Sequence, residues 1–170
     1  MSNSGNERDE VAGLVAAWRR ERPDLDIAPL EVLSRITRVS RQLDIARRAA
    51  FAEHGLEIWG FDVLAALRRA GKPYQLTPGE LIHENLVTSG TITNRLDRLE
   101  SEGLLTRHPD PYDGRGIRVE ITAQGIQVID AALESLLLRE REFLRSLSTN
   151  EQRGLAHSLS TILYALEGNG

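Results

Sequence analysis

Two helices in close succession, a pair of strands joined by a turn-rich tip, and long amphipathic helices on either side predict a mainly α-helical chain. Its centre is a winged helix-turn-helix. Three observations carry this reading. Thr77-Pro78-Gly79-Glu80 is a capping box with proline at the first helical position, and it opens a helix of barely two turns. A second start at Thr88-Ser89 leads into Ile92, Leu96 and Leu99, spaced along one helical face. After Gly103 the apolar period changes to that of strands at residues 104–107 and 117–121. Residues 108–116 between them are rich in Pro, Asp and Gly, as an exposed hairpin tip requires.

Each remaining element has its own signals. Val11, Leu14, Val15 and Trp18 form a helical stripe within residues 7–20, and Pro23 ends it. Pro29 opens a long helix to about His54, with Gly55 as the stop and Leu33, Ile36, Leu43, Ala46, Ala50 and Phe51 facing inward. Residues 56–70 form a third helix with Phe61, Leu64 and Leu67 inward, closed by Gly71-Lys72-Pro73. The short helix runs from Pro78 to about Glu84, and the next from Ser89 to about Glu102, with Gly103 as a left-handed cap. Thr122 caps a long helix whose stripe runs from Ile126 and Ile129 to Leu144 and Leu147. Ser148-Thr149-Asn150-Glu151, a second capping box, starts a final helix bearing Leu155, Leu159, Ile162 and Leu166.

A chain of 170 residues suits one domain with appended helices. It contains no cysteine, so disulfides, thiol nucleophiles and cysteine zinc sites are excluded. No apolar run approaches the ~20 residues of a membrane span. The N-terminus, MSNSGNERDE, is the opposite of a secretory signal, so a soluble, cytoplasmic protein without a membrane partner is expected. No nucleophile elbow, phosphate loop or HExxH motif is present. His54, His83, His108 and His157 lie 29, 25 and 49 residues apart, without metal-ligand spacing. Neither an enzyme nor a bound metal or cofactor is expected.

The formal charge of −4 argues at first against nucleic acid. Only residues 31–72 are net basic, with eight cationic and five anionic side chains, and residues 85–120 carry five and six. Twenty of the 21 cationic residues are arginine, Lys72 being the exception. Arginine presents a planar fork of donors to phosphate, guanine edges or carboxylates. What matters is therefore where individual arginines face.

With Ile92 taken as inward, Asn94, Asp97, Arg98 and Ser101 point outward at about 100° per residue. In a winged helix-turn-helix this helix enters the major groove. Asn94 can bond an adenine and Arg98 a guanine or phosphate, while Ser89, Thr91 and Thr93 suit phosphates and base edges. Asp97 and Glu100 would repel phosphate, so they are expected to pair with arginines or turn away. Arg95 sits on the border of the buried side, which fits either a structural ion pair or an anion-binding role. Arg115, between Gly114 and Gly116 at the wing tip, is free to enter a minor groove. Double-stranded DNA is the expected partner. A protein–protein adaptor using the same fold is the reading from another class.

The segments Thr77-Pro78-Gly79-Glu80-Leu81, Thr91-Ile92-Thr93-Asn94-Arg95-Leu96-Asp97-Arg98-Leu99-Glu100, Gly103-Leu104 and Asp113-Gly114-Arg115 resemble the MarR family of transcriptional regulators. The resemblance covers about residues 29–167. It is closer to the urate-responsive branch, through the extra N-terminal helix with Trp18, the run from Phe61 to Arg69, Pro73-Tyr74 and Val87-Thr88-Ser89-Gly90-Thr91. The resemblance implies an N-terminal extension over residues 1–28, a homodimerisation region from 29–55 and 122–170, and a DNA-binding lobe at 56–121. It implies a repressor of a pseudopalindromic operator, released by a small anionic aromatic such as urate, or in other branches by a phenolic or antibiotic-like compound. The implied ligand set is Trp18, Asp62, Arg95 and Arg107. The wing departs from the family pattern of two consecutive basic residues, having Gly114 and then Arg115.

Overall fold

The computed structural model describes residues 10–85, 88–111 and 116–168. Its elements run α1 (Glu10–Glu21), α2 (Ala28–Ala52), α3 (Ile58–Arg69), β1 (Gln75–Leu76), α4 (Pro78–Asn85), α5 (Ser89–Ser101), β2 (Leu105–Pro109), β3 (Ile117–Ile121), α6 (Ala123–Leu144) and α7 (Thr149–Glu167). The mainly helical winged helix-turn-helix is present, with α4 and α5 as the helix pair and β2 and β3 as the wing. The chain divides into two units, one ending at Ile45 and the other beginning at Ala46.

In the first unit, α1 buries Val11 and Val15 and leaves Leu14 and Trp18 exposed, so only one side of the apolar stripe is covered. Arg19 pairs with Glu31 at 3.2 Å, and Arg38 pairs with Glu10. The start of α2 precedes Pro29 by one residue because Asp26 accepts the Ala28 N–H at 3.0 Å, an Asx-type start.

The second unit is organised around α3. Seven of its residues, Gly60, Phe61 and the run Val63 to Leu67, are buried. The Phe61 ring stacks on Phe51 with centroids 3.9 Å apart. Leu81 from α4, Ile92, Leu96 and Leu99 from α5, Leu105 and Val119 from the wing, and Ile129 and Ala132 from α6 complete the same core. Arg68 grips Asp130 in bidentate fashion at 2.9 and 3.1 Å, fastening α3 to α6, and its guanidinium lies 5.1 Å from the Tyr74 ring centre.

Both capping boxes form. Glu80 N–H donates to the Thr77 hydroxyl at 3.2 Å while Thr77 N–H donates to the Glu80 carboxylate at 2.7 Å, and Ser148 and Glu151 do likewise. Gly103 ends α5 with φ of +73°, the left-handed cap expected of it.

The sheet is antiparallel in the order β1-β3-β2. Strand β1 has no counterpart in the sequence reading: two residues carry no periodicity, and Gln75↔Glu120 and Leu76↔Val119 pair only because the chain turns at Tyr74, where φ is +63°. Strand β2 runs two residues beyond Arg107 into the stretch read as hairpin tip. The reason is register. Pro109 lies opposite Ile117 on the edge strand, at a position whose N–H would point away from β3, so proline removes no ladder bond. The wing-tip residues Asp113, Gly114 and Arg115 lie outside the described residues.

Among the described residues no helix is long and apolar enough to cross a membrane. Helix α7 buries none of its residues, and Leu155, Leu163, Tyr164 and Leu166 are exposed, as are Leu137, Leu138 and Phe143 on α6.

Candidate functional site

Helix α5 is the centre of the site. Thr88 caps it, its hydroxyl accepting the Thr91 N–H at 3.4 Å and meeting the Thr91 hydroxyl at 2.9 Å. Ile92, Leu96 and Leu99 bury one face. The opposite face exposes Ser89, Thr93, Asn94, Asp97 and Arg98, and Thr91 is partly covered. The Thr93 hydroxyl donates back to the Ser89 carbonyl at 3.1 Å. This is the arrangement that lays a polar surface into a groove from a rigid apolar base.

Three arginines near that surface, Arg98, Arg107 and Arg118, are engaged with carboxylates. Arg98 meets Glu57 at 2.6 Å and Glu102 at 3.2 Å. Arg107 takes Asp97 at 2.7 Å and Glu100 through its Nε at 2.9 Å, while its backbone N–H also donates to Glu100 at 2.9 Å. The Glu100 carboxyl is held below the usual carboxylate range chiefly by these hydrogen bonds. Both acidic residues that would oppose phosphate are thus paired with one arginine of the wing. Arg118 is likewise tied to the buried Asp110 at 2.6 Å.

Of the four ligand residues implied by resemblance, Trp18 lies half-exposed on α1, in the unit ending at Ile45. Asp62 and Arg95 share a neighbourhood. Asp62 hydrogen-bonds Arg47 at 3.3 Å. Burial pushes its carboxyl above the ordinary value, and the positive charges of Arg47, Arg95 and Arg69 oppose that shift. A cleft of about 150 Å³ opens beside it, lined by Asp62, Arg69, Glu84 and Asn85. Arg95 is half-buried, as its border position on α5 requires, with its guanidinium 5.8 Å from the Trp59 ring centre. Arg107 is drawn instead to the carboxylates of α5, and no hydrogen bond or ion pair joins it to Asp62 among the described residues.

Three participants escaped sequence reasoning. Arg47 partners Asp62, and its Nε is buried without a hydrogen-bond partner. Trp59 lies against both Arg95 and Arg98. Glu57 touches both Trp59 and Arg98. The only available signal was the dipeptide spacing Glu57-x-Trp59 at a helix start. Among the described residues, no cluster of three His, Cys, Asp or Glu could hold a metal ion.

A MarR family model matches residues 54–116, the region from the end of α2 through the helix pair into the wing. The HTH-type transcriptional regulator PecS of Dickeya dadantii is 36% identical over 160 residues, covering 94% of this chain and 96% of that regulator. Among solved structures, a mutant MarR from E. coli complexed with operator DNA is 27% identical with a TM-score of 0.66, over 86% of this chain and 97% of that one. AbsC, a MarR family regulator from Streptomyces coelicolor, matches in fold with a TM-score of 0.73 at 18% identity, over 85% of this chain and 97% of that one.

Proposed function

This chain belongs to the MarR family of DNA-binding transcriptional regulators, and from that premise we propose that it is a homodimeric repressor released from its operator by a small anionic aromatic ligand such as urate. Residues 56–121 serve as the DNA-binding lobe. Residues 29–55 and 122–170 serve as the dimerisation region, and residues 1–28 as an extension carrying Trp18. The DNA contacts come from Ser89, Thr91, Thr93, Asn94, Arg98 and Arg115, acting on a pseudopalindromic operator in the cytoplasm. The ligand is held by Trp18, Asp62, Arg95 and Arg107.

The observation that carries the ligand reading is Asp62, a half-buried carboxylate with an elevated pKa among three arginines beside a cleft. Arg47, Arg95 and Arg69 all act on it, with Glu84 pairing Arg69 at the cleft wall. The positive charge open to an anionic guest therefore comes from Arg47 and Arg95, and the Asp62 carboxyl can meet a guest N–H. Arg95 stands on the helix that reads DNA, so a guest that grips Arg95 moves the reader. A coupling of ~3 kcal/mol would weaken operator binding over 100-fold. The many large apolar side chains left exposed on α6 and α7 support the dimer, since apolar surface of this extent seeks a partner.

The test is a mobility shift on upstream DNA with and without urate, with Arg95→Ala in parallel. Urate should release the wild-type protein and leave the variant bound. Release of both to the same extent would remove Arg95 from the site. Calorimetric titration with urate, a purine and a phenolic acid separates the urate reading from the phenolic one. Operator affinity that falls steeply with salt separates a regulator from an adaptor.

A further inference from the structure

Helix α3 begins in an unusual way. Its N-cap is Glu57, whose side chain makes no capping hydrogen bond, although Ser, Thr, Asn or Asp would serve that position. The carboxylate is directed elsewhere. One oxygen accepts the Trp59 indole N–H at 2.9 Å, and the other meets Arg98 Nη1 at 2.6 Å. The Trp59 ring lies beneath the same guanidinium, 5.2 Å from ring centre to Arg98 Cζ, with Arg95 on the ring at 5.8 Å. A cation over an indole face and a carboxylate at its edge define both the position and the plane of the guanidinium. Glu102 holds the Nε side. A local capping rule is set aside here in favour of a contact to the recognition helix, which is where a functional role is expected.

The geometry points to Glu57 as an internal stand-in for a DNA phosphate: it holds Arg98 in the free protein and yields it when the operator arrives, while Trp59 keeps the guanidinium aimed. Glu57 and Trp59 are positioning residues, acting on DNA through Arg98. The inference rests on the proposed role of Arg98 as a DNA contact. One Glu57 oxygen accepts from Arg98 Nη1 as a single phosphate oxygen would, so partner exchange changes the acceptor at that one donor while Nε stays with Glu102. The indole face is left in place through the exchange, because it makes no demand on the guanidinium edge.

The experiment is a double-mutant cycle on operator affinity at fixed salt, using Glu57→Gln, Arg98→Ala and the pair. Gln keeps an acceptor for the Trp59 N–H and removes the charge. Glu57→Gln is expected to tighten binding by about two- to fivefold, the range of an exposed ion pair. Arg98→Ala is expected to weaken it about fivefold or more and to lower the salt slope by about one. In the Arg98→Ala background, Glu57→Gln should have no effect. An equal gain in both backgrounds would show a general charge effect and overturn the inference. Unchanged affinity in Arg98→Ala alone would show that Arg98 is not a DNA contact, which overturns the inference at its premise. A second readout uses Trp18→Phe, which leaves Trp59 as the sole tryptophan. Operator addition should shift its emission as the Glu57 carboxylate at the indole edge is released from Arg98. An unaltered spectrum at saturation would mean that Arg98 never leaves Glu57, which overturns the inference.

Discussion

Gly125 sits in the first turn of α6, where two opposing effects can be weighed against each other. Replacing a helical glycine by alanine ordinarily stabilises by about 0.8–1 kcal/mol. Here a Cβ would lie 2.1 Å from the Leu104 carbonyl oxygen and 2.7 Å from Ile121 Cγ1. The isoleucine can rotate, but the carbonyl is pinned. It accepts the Thr122 N–H at 3.0 Å, and Leu104 N–H itself bonds Leu99 at 3.0 Å at the end of α5. Relieving the clash means moving α6 away from this junction, which also disturbs the Thr122 cap on the Gly125 N–H at 3.0 Å. Overpacking of about 1–3 kcal/mol, a cap of about 1 and a hydrogen bond of about 1 outweigh the helical gain. Gly125→Ala should therefore destabilise by about 2–4 kcal/mol, lowering Tm by about 5–12 °C in a protein of this size. Urea titration and thermal melts at one protein concentration measure this. Gly13→Ala in α1 is the control, because a Cβ there meets nothing within 4 Å, and it should be neutral or slightly stabilising. A Gly125→Ala protein as stable as the wild type would refute the packing at the junction between α5 and α6.

Three further outcomes are expected. Glu100, whose carboxyl is lowered by Arg107, contributes stability present above the unfolded carboxylate range and lost as pH falls through its lowered folded value. Glu100→Gln should flatten the acid side of the stability curve between about pH 5 and 2, and an unchanged acid limb in urea midpoints would contradict it. Asp62 has the opposite sign: its raised carboxyl lowers stability above its folded value, and that penalty fades as pH falls. Asp62→Asn should remove the mildly acidic part of the pH dependence while abolishing ligand release of DNA, and retention of both would count against its role. Leu163→Glu on the exposed face of α7 should shift sedimentation toward the monomer and weaken operator binding, whereas an unaltered mass would place the dimer contact elsewhere.

The features legible in the sequence were those that local chemistry decides. Thr77 with Glu80, and Ser148 with Glu151, satisfy helix ends within four residues of chain, so composition alone reveals them. The seam of Ile92, Leu96 and Leu99 and the border position of Arg95 follow from helical period. The pairing of Asp97 and Glu100 was readable as a requirement, because two carboxylates on a DNA-facing helix need cations, and Arg107 supplies them. What escaped depends on tertiary approach. Strand β1 exists only where Tyr74 turns the chain onto β3. Arg47 reaches Asp62 across 15 residues, and Trp59 meets Arg95 and Arg98 across 36 and 39, separations to which no periodicity points.

The acidic total has a structural meaning in this light. The six carboxylates of residues 85–120 do not simply oppose the five cations there. Asp97 and Glu100 fix Arg107, Glu102 fixes Arg98, and Asp110 fixes Arg118, so the acidic side chains organise the arginines of the wing and the recognition helix. Each exposed pair is worth at most about 1 kcal/mol, which is too little to keep an arginine from a well-placed phosphate. It is enough to matter against poorly placed phosphates, where an arginine gains little by leaving its carboxylate. With Arg98, Arg107 and Arg118 already partnered, the protein should bind random DNA weakly and favour a duplex that presents acceptors at those arginines together. On this reasoning the acid residues should raise the contrast between operator and non-operator DNA, and charge-neutralising variants such as Glu57→Gln and Glu102→Gln should gain more affinity for random DNA than for the operator.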